Sequence, residues 1–195
     1  SVVLQGTLRS ETMERAKARE SEFLGIVSQV SSEINLGPLL QMIMGAITRL
    51  LDAERSTLFL NDEKTGQLYT EIGQGLGSTK ITLPNHAGIA GAVFTSGSTI
   101  NIPHAYADLR FNPSFDKKTG FFTRSILCVP VRNKDGKVIG VTQVLNKRGG
   151  PFTASDEERL QAFTAQISIG LENAKLFDDV QKMKNYNEKI GRAHV

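Results

Sequence analysis

Between Val138 and Glu158 the chain must change both direction and structure within a few residues. Val138-Ile139-Gly140-Val141-Thr142-Gln143-Val144-Leu145 is β-branched and mostly apolar, the composition of a strand. Gly149-Gly150-Pro151 ends it, because glycine favours a turn and proline has no N–H to give to a sheet. Ser155-Asp156-Glu157-Glu158 then reads as a helix start of the capping-box kind. A strand, a glycine turn and a helix in immediate succession form a corner around which the remaining chain has to be arranged.

Two helical stretches precede any strand. From Thr7 to Ile34 the chain is rich in Glu, Arg, Lys, Ala and Ser, with Phe23, Val27, Val30 and Ile34 at helical spacing. Its first half, Glu11 to Glu22, is too polar for a core and is expected to project, either paired with another helix or solvated. Gly37-Pro38 stops this helix and starts a second, with Leu40, Ile43, Ile47 and Leu50 as its buried stripe. Arg55 to Leu60 and Gln67 to Ile72 are strands joined in a hairpin through Asn61-Asp62-Glu63-Lys64-Thr65-Gly66. Alternation puts Arg55, Thr57 and Phe59 on one face and Ser56, Leu58 and Leu60 on the other, so a cation and a hydroxyl share a face. Spacing alone favours a strand-edge arginine paired with a carboxylate.

The middle of the chain is irregular. Lys80 to Leu83 and Thr99 to Ile102 are short strands, and Gly88 to Thr95 is a short helix. Pro103 to Thr123 is a candidate lid, since loops this long in a compact domain usually bind something. Its Asn112, Asp116, Thr119 and Thr123 read either as ligand contacts or as loop tethers. At Gly88-Ile89-Ala90-Gly91 the free N–H groups of a helix start, with glycine allowing close approach, suit an oxyanion. Ser125 to Val131 is a buried strand with Cys128 in the core, and Asn133-Lys134-Asp135-Gly136 turns it into the opening stretch. The last helix, Ser155 to about Lys189, buries Leu160, Phe163, Ile167, Leu171 and Ala174 and continues as the charged segment Phe177 to Lys189.

A chain of 195 residues fits one core with long appended helices. Hydrophobic and charged fractions of 39% and 22% are ordinary for a globular protein, and no apolar run reaches the roughly 20 residues of a membrane span. The net charge of +3 is mild and scattered, which argues against nucleic acid but leaves a small anion as a guest. The lone Cys128 excludes an internal disulfide and a multi-cysteine metal site, and a cytoplasmic setting follows by default. No metal is expected. His86 and His104 lack a Ser, Cys or Glu partner at useful spacing, and His194 lies in the terminal segment. The elements add up to an α+β sandwich of about six strands, helices on one sheet face and loops over the other, with long N- and C-terminal helices pointing outward.

Asn146-Lys147, Phe152 and Asp156-Glu157, together with Gly88-Ile89-Ala90-Gly91, Asn101 to Tyr106 and Thr119 to Arg124, resemble the motifs of a GAF domain of the cyclic-nucleotide-binding type. The resemblance covers roughly Ile34 to Val180 and is to the regulatory GAF domains of cyanobacterial adenylate cyclases and cyclic-nucleotide phosphodiesterases. It implies a GAF-like antiparallel sheet and a division into an N-terminal connector helix at 1–34, a GAF core at 35–176, a C-terminal connector helix at 177–190 and a tail at 191–195. It implies a non-catalytic sensor without cofactor, with cAMP or cGMP as regulatory ligand. The sensor would signal through its terminal helices to an attached cyclase or phosphodiesterase catalytic domain, with a homodimer formed through those helices and a second GAF domain as possible neighbour. The alternative is a ligand-free GAF dimerisation module.

Carried onto this chain, the resemblance implies that Ile89 and Ala90 N–H groups receive the cyclic phosphate, that Arg55 and Thr57 line the cavity, and that Asn112, Asp116, Thr119 and Thr123 close over the nucleotide. Gln143 stands where related domains can carry an acid, and Gln74 near the position of a guanine-reading acid. An amide there matches the donor and acceptor of adenine, which favours cAMP. A bilin photoreceptor would need histidine after the cysteine, and Val129 follows Cys128. A GAF-type methionine sulfoxide reductase would need several cysteines. Asn146, Lys147, Phe152, Asp156 and Glu157 are expected to act as a latch outside the pocket, with a lysine-carboxylate pair clamping the turn.

Overall fold

The computed structural model describes residues 2–32, 36–76 and 80–194, and within the first helix it describes side chains only at 5–19 and 22. Helix α1 spans Val2–Ser32, and residues 5–19 are exposed, as the polar first half requires. Phe23, Val27, Val30 and Ile34, the expected apolar positions, lie outside the described side chains. Helix α2, Leu36–Leu50, buries Leu39, Leu40, Ile43, Met44, Ala46 and Ile47. Leu50, expected in that stripe, is only half-buried, because Leu51 just past the helix end fills the core instead.

Six strands follow: β1 Ala53–Asp62, β2 Gln67–Gly73, β3 Thr82–Pro84, β4 Ile100–Ile102, β5 Ile126–Arg132 and β6 Val138–Lys147. They form one antiparallel sheet in the order β3-β2-β1-β6-β5-β4. Helix α3, Gly88–Ser96, helix α4, Ser114–Thr119, and a 3₁₀ turn at Ala105–Ala107 interrupt the series, and helix α5, Ala154–Ala193, closes it. Gly140 marks the closest approach of the central pair: a Cβ there would lie 2.2 Å from the Phe59 carbonyl oxygen.

Alternation along β1, β5 and β6 supplies apolar side chains to both sheet faces. On one face Leu58, Val129, Val131 and Val144 pack with Leu40, Ile43 and Ile47 of α2 and with Leu160, Phe163 and Ile167 of α5. On the other, Phe59, Ile126, Cys128 and Val141 pack with Ile89, Ala90 and Val93 of α3. The second face is therefore not covered by loops alone, and α3 is the element that anchors the loops there.

Helix α5 begins one residue earlier than expected. Thr153 is its N-cap: Thr153 Oγ1 accepts from the Asp156 N–H at 3.2 Å, and Asp156 Oδ2 accepts from the Thr153 N–H at 2.8 Å. The capping box is thus Thr153 with Asp156, three residues on, and not a box opened by Ser155. Leu171 and Ala174 are half-buried at the edge of the core, residues 175–194 are exposed, and the helix runs on through Ala193, including positions 191–193 expected as a tail.

Candidate functional site

The pairing of β1 with β6 sets Thr57 opposite Gln143, Arg55 opposite Leu145 and Phe59 opposite Val141, and β5 adds Cys128 opposite Gln143. All these residues share the face that carries α3. A cavity of about 380 Å³ opens above them, within the range of small-molecule sites. Its floor is Arg55, Thr57, Phe59, Ile126, Gln143 and Leu145. Gln74, Leu76 and residues 81–84 form one wall, Ala87 to Ala90 another, and Phe111, Asn112, Phe115, Asp116, Thr119, Phe121 and Thr123 the roof. The ten residues singled out in the sequence as ligand contacts all line it; Asn146, Lys147, Phe152, Asp156 and Glu157 do not.

Two features in this lining attract an anion. Gly88 opens α3 at φ 66°, a conformation glycine adopts without strain, and the N-cap Ala87 offers no side chain to the helix end. The first helical hydrogen bond runs from the Gly91 N–H to the Ala87 carbonyl, so the N–H groups of Gly88, Ile89 and Ala90 precede it and point out of the helix end. Arg55 is the second feature. Its guanidinium carbon lies 4.0 Å from the centroid of Phe121, and none of the ion pairs among the described residues includes it. The carboxylate partner that spacing suggested is absent among those residues; an aromatic face from the lid occupies that place, brought there by tertiary folding.

The lid's polar residues bind one another. Asp116, 9% exposed, accepts from Tyr106 Oη, the Thr123 N–H and Thr123 Oγ1, each at 2.8 Å. Asn112 Oδ1 accepts from the Ser114 N–H at 3.0 Å, and Thr119 Oγ1 donates to the Phe115 carbonyl at 2.8 Å. The Tyr106 ring stacks on Phe122 with centroids 5.0 Å apart and meets Phe111 edge-on. The hydrogen bond to Asp116 raises the Tyr106 pKa above its ordinary value.

Gln74 is also committed. Its Oε1 accepts from Thr48 Oγ1 at 2.7 Å and from the Ser56 N–H at 2.9 Å, and its Nε2 donates to the Met44 carbonyl at 3.4 Å. The amide expected to read a base therefore binds α2 and β1 instead. Its partners lie 18 to 30 residues away, beyond the reach of any local pattern.

Outside the cavity the motif residues join four elements. Lys147 Nζ lies 2.5 Å from Asp156 Oδ2. Burial pushes the Asp156 carboxyl up, and hydrogen bonds from Lys147 and Thr153 outweigh it, so the pKa falls below its ordinary value. Asn101 Nδ2 donates to the Phe152 carbonyl and to Glu157 Oε1, both at 2.9 Å, tying β4 to the start of α5. Asn146 is fully buried at φ 60°. Its Oδ1 accepts from the Arg124 and Ser125 N–H groups at 2.6 and 3.2 Å, and its Nδ2 donates to Glu54 Oε2 at 3.0 Å and the Phe122 carbonyl at 2.8 Å. The hydrogen bond from Asn146 holds the Glu54 carboxyl below its ordinary pKa, with Arg124 contributing.

Sequence reading missed Phe111, Phe115 and Phe121 as lining residues. No local period could have found them, because α4 starts only at Ser114 and leaves Phe111 and Phe121 in irregular chain on either side of it. It also missed Glu54, and it named Asn101 within a motif without assigning it a role, since the partners of both are remote. Cys128 is buried and its thiol is pushed up in pKa by that burial, so it is no nucleophile. Among the described residues no group of three or more His, Cys, Asp or Glu stands together as metal ligands. No described helix is long and apolar enough to cross a membrane.

Residues 35–171 match the family model for the GAF domain. The chain is 37% identical over 169 residues to a dual 3',5'-cyclic-AMP and -GMP phosphodiesterase 11A of Takifugu rubripes, covering 80% of this chain and 19% of that protein. It is 36% identical over 161 residues to a probable 3',5'-cyclic phosphodiesterase, pde-5, of Caenorhabditis elegans, covering 76% of this chain and 22% of that protein. The chain thus spans about a fifth of the length of these relatives. Among solved structures, the GAF domain of an Acinetobacter phosphoenolpyruvate-protein phosphotransferase superposes with a TM-score of 0.69 at 22% identity, covering 82% of this chain and 95% of that one, a likeness of fold. Sheet order, the helix-start cavity and the family match over most of its length agree that this chain belongs to the GAF domain family.

Proposed function

We propose that this GAF domain is a non-catalytic regulatory module that binds a cyclic nucleotide in the cavity over β1 and β6. The observation that carries the reading is the placing of the unpaired Arg55 guanidinium and the open N-terminus of α3 on one aromatic and apolar cavity. A cyclic phosphate satisfies the cation or the helix end, and the base and ribose fill the apolar space under Phe111, Phe115 and Phe121.

The reading favours cAMP over cGMP, for a reason other than an amide at Gln74. Guanine presents adjacent N–H donors that a carboxylate satisfies best. Asp116 is the one acid among the described lining residues, and both its oxygens already accept from Tyr106 and Thr123. No free carboxylate in that lining faces the cavity. Adenine requires none.

The bound state would draw the lid onto the nucleotide and alter the packing of α2, which Gln74 joins to the cavity wall, and so bias an attached cyclase or phosphodiesterase domain. A thermal-shift and calorimetric titration with cAMP and cGMP tests this. At about 100-fold over Kd, binding stabilises the fold by about 2.7 kcal/mol, a rise in Tm of about 5–11 °C for a domain of this size. No shift with either nucleotide refutes the reading. It would support the second one, a ligand-free dimerisation module, which the self-satisfied hydrogen bonds of the lid favour.

A further inference from the structure

The two faces of the sheet meet at Arg132, the last residue of β5. Alternation turns its side chain to the face of Cys128 and α3, whereas Val129 and Val131 turn to α5. Its Nη2 donates to the Gly97 carbonyl at 2.8 Å and its Nη1 to the Gly136 carbonyl at 2.9 Å. Gly97 is the C-cap of α3 at φ 67°, and a Cβ there would lie 2.6 Å from Nη2, so this close approach needs glycine. A cation at the carboxyl end of α3 also suits the helix dipole. The β5–β6 ladder slips by one residue between Val131 and Arg132, which bends the strand end. There the Arg132 carbonyl accepts from Ser168 Oγ of α5 at 2.5 Å, and Ser168 is 8% exposed. One residue thus holds the end of α3 on one face of the sheet and the closing helix on the other.

The segment that leaves α3 is tied to the same side of α5 at two further points. Thr99 Oγ1 accepts from Gln161 Nε2 at 3.3 Å, and Asn101 Nδ2 donates to Glu157 Oε1 at 2.9 Å. Steps of four and seven residues along α5 bring Glu157, Gln161 and Ser168 within about 40° of one another around the helix. Positions 101, 99 and 97 meet them in that order, so the exit of α3 lies antiparallel along α5. We propose that Arg132 is a positioning residue that sets α3 against α5, so that a shift of α3 reaches α5 through Gly97, the Arg132 backbone and Ser168. A nine-residue helix packed through Ile89, Ala90 and Val93 moves as one body, and its first N–H groups and Gly97 are the two ends of that body. Anion binding at Gly88 to Ala90 supplies the shift; this step rests on the nucleotide reading, whereas the tie between the two faces does not. Coupling is reciprocal, so what loosens α5 at Ser168 also loosens α3.

Amide exchange of the whole chain, read residue by residue, tests it in two stages. Without nucleotide, Arg132→Ala should speed exchange at Gly97, whose N–H is bonded to the Val93 carbonyl, and across the sheet at residues 164–172 of α5. The expected rise is about 2- to 30-fold beyond any change at residues 39–47 of α2. Ser168→Ala improves helix propensity, so α5 by itself has no reason to loosen, yet Gly97 should again exchange faster. Arg132→Lys keeps the cation without the fork to two carbonyls and should fall between parent and alanine. With saturating cAMP, exchange in the parent should slow at α3 and at residues 157–168, and in Arg132→Ala at α3 alone. Variants whose effects stay on their own face of the sheet overturn the coupling. Equal slowing of α5 by cAMP in the parent and in Arg132→Ala gives the signal another route and overturns the role of Arg132. Coupling in the ligand-free protein, with no response to cAMP anywhere, removes the nucleotide reading and leaves the role of Arg132 standing.

Discussion

Lys147 Nζ meets Asp156 Oδ2 at 2.5 Å, joining the last residue of β6 to the first turn of α5 across the Gly149-Gly150-Pro151 turn. The Asp156 side chain is 2% exposed and the Lys147 side chain 22%, so removal of the lysine leaves a carboxylate in the interior with no cation and with Thr153 as its hydrogen-bond partner. Lys147→Ala should cost about 2–3 kcal/mol and Asp156→Ala, which also opens the capping box, about 3–4 kcal/mol in urea unfolding. Neither residue lines the cavity, so nucleotide affinity should weaken only through loosened strand and helix. A structure with Lys147 on the phosphate would refute that indirect role.

The same pair sets a pH dependence. The folded pKa of Asp156 lies below its ordinary value of 3.8, and that of Asp108, held by hydrogen bonds from Arg110, falls to about 2. A depressed carboxyl stabilises the fold above its unfolded pKa, and the contribution is lost as pH falls through the folded one. Tm should be level above about pH 5 and decline toward pH 2. In Lys147→Ala the deficit relative to the parent should shrink over that window, because a protonated Asp156 needs no cation. A deficit that stays constant from neutral pH to pH 2 would show that the lysine acts by packing alone.

What could be read in the sequence was what local periodicity carries. Alternation placed Arg55, Thr57 and Phe59 on one face and Gln143 with Val141 and Leu145, and the register confirms both. The glycine-led start of α3 is legible because helix ends expose N–H groups whatever the fold. Arg55 over Phe121 was not legible, since 66 residues and a lid separate them, nor was the commitment of Gln74 to Thr48 and Ser56. Both depend on where irregular segments return to the sheet, and irregular segments have no period.

Arg55 should matter to ligand far more than to stability. Loss of a charged hydrogen bond costs about 1.5–3 kcal/mol, so Arg55→Ala should raise the Kd for cAMP about 10- to 150-fold. Its contact with Phe121 is worth only about 0.5–1 kcal/mol, so the apo protein should melt nearly as before. Arg55→Lys keeps the charge without the planar fork and should fall between them. Unchanged calorimetric affinity in Arg55→Ala would place the phosphate on the α3 helix end alone.

Asn146 concentrates more structure than any other residue of the motif. All four hydrogen-bonding positions of its amide are used, two by lid-exit N–H groups, one by the Phe122 carbonyl and one by Glu54. Its φ of 60° adds a second requirement, which asparagine meets better than most residues. Asn146→Ala loses the bonds and adds backbone strain, for a destabilisation of about 3–5 kcal/mol, whereas Asn146→Gly relieves the strain and should recover about 1 kcal/mol. Asn146→Asp keeps the acceptor but sets a carboxylate against Glu54, so its deficit should diminish as pH falls and either acid is protonated. In all three variants amide exchange at residues 122–125 should accelerate, since those groups hold the end of the lid to β6. Exchange there at the parental rate, in a variant that is nonetheless destabilised, would mean that the lid is held by Asp116 and the Tyr106 stack and that Asn146 serves only β1 and β6.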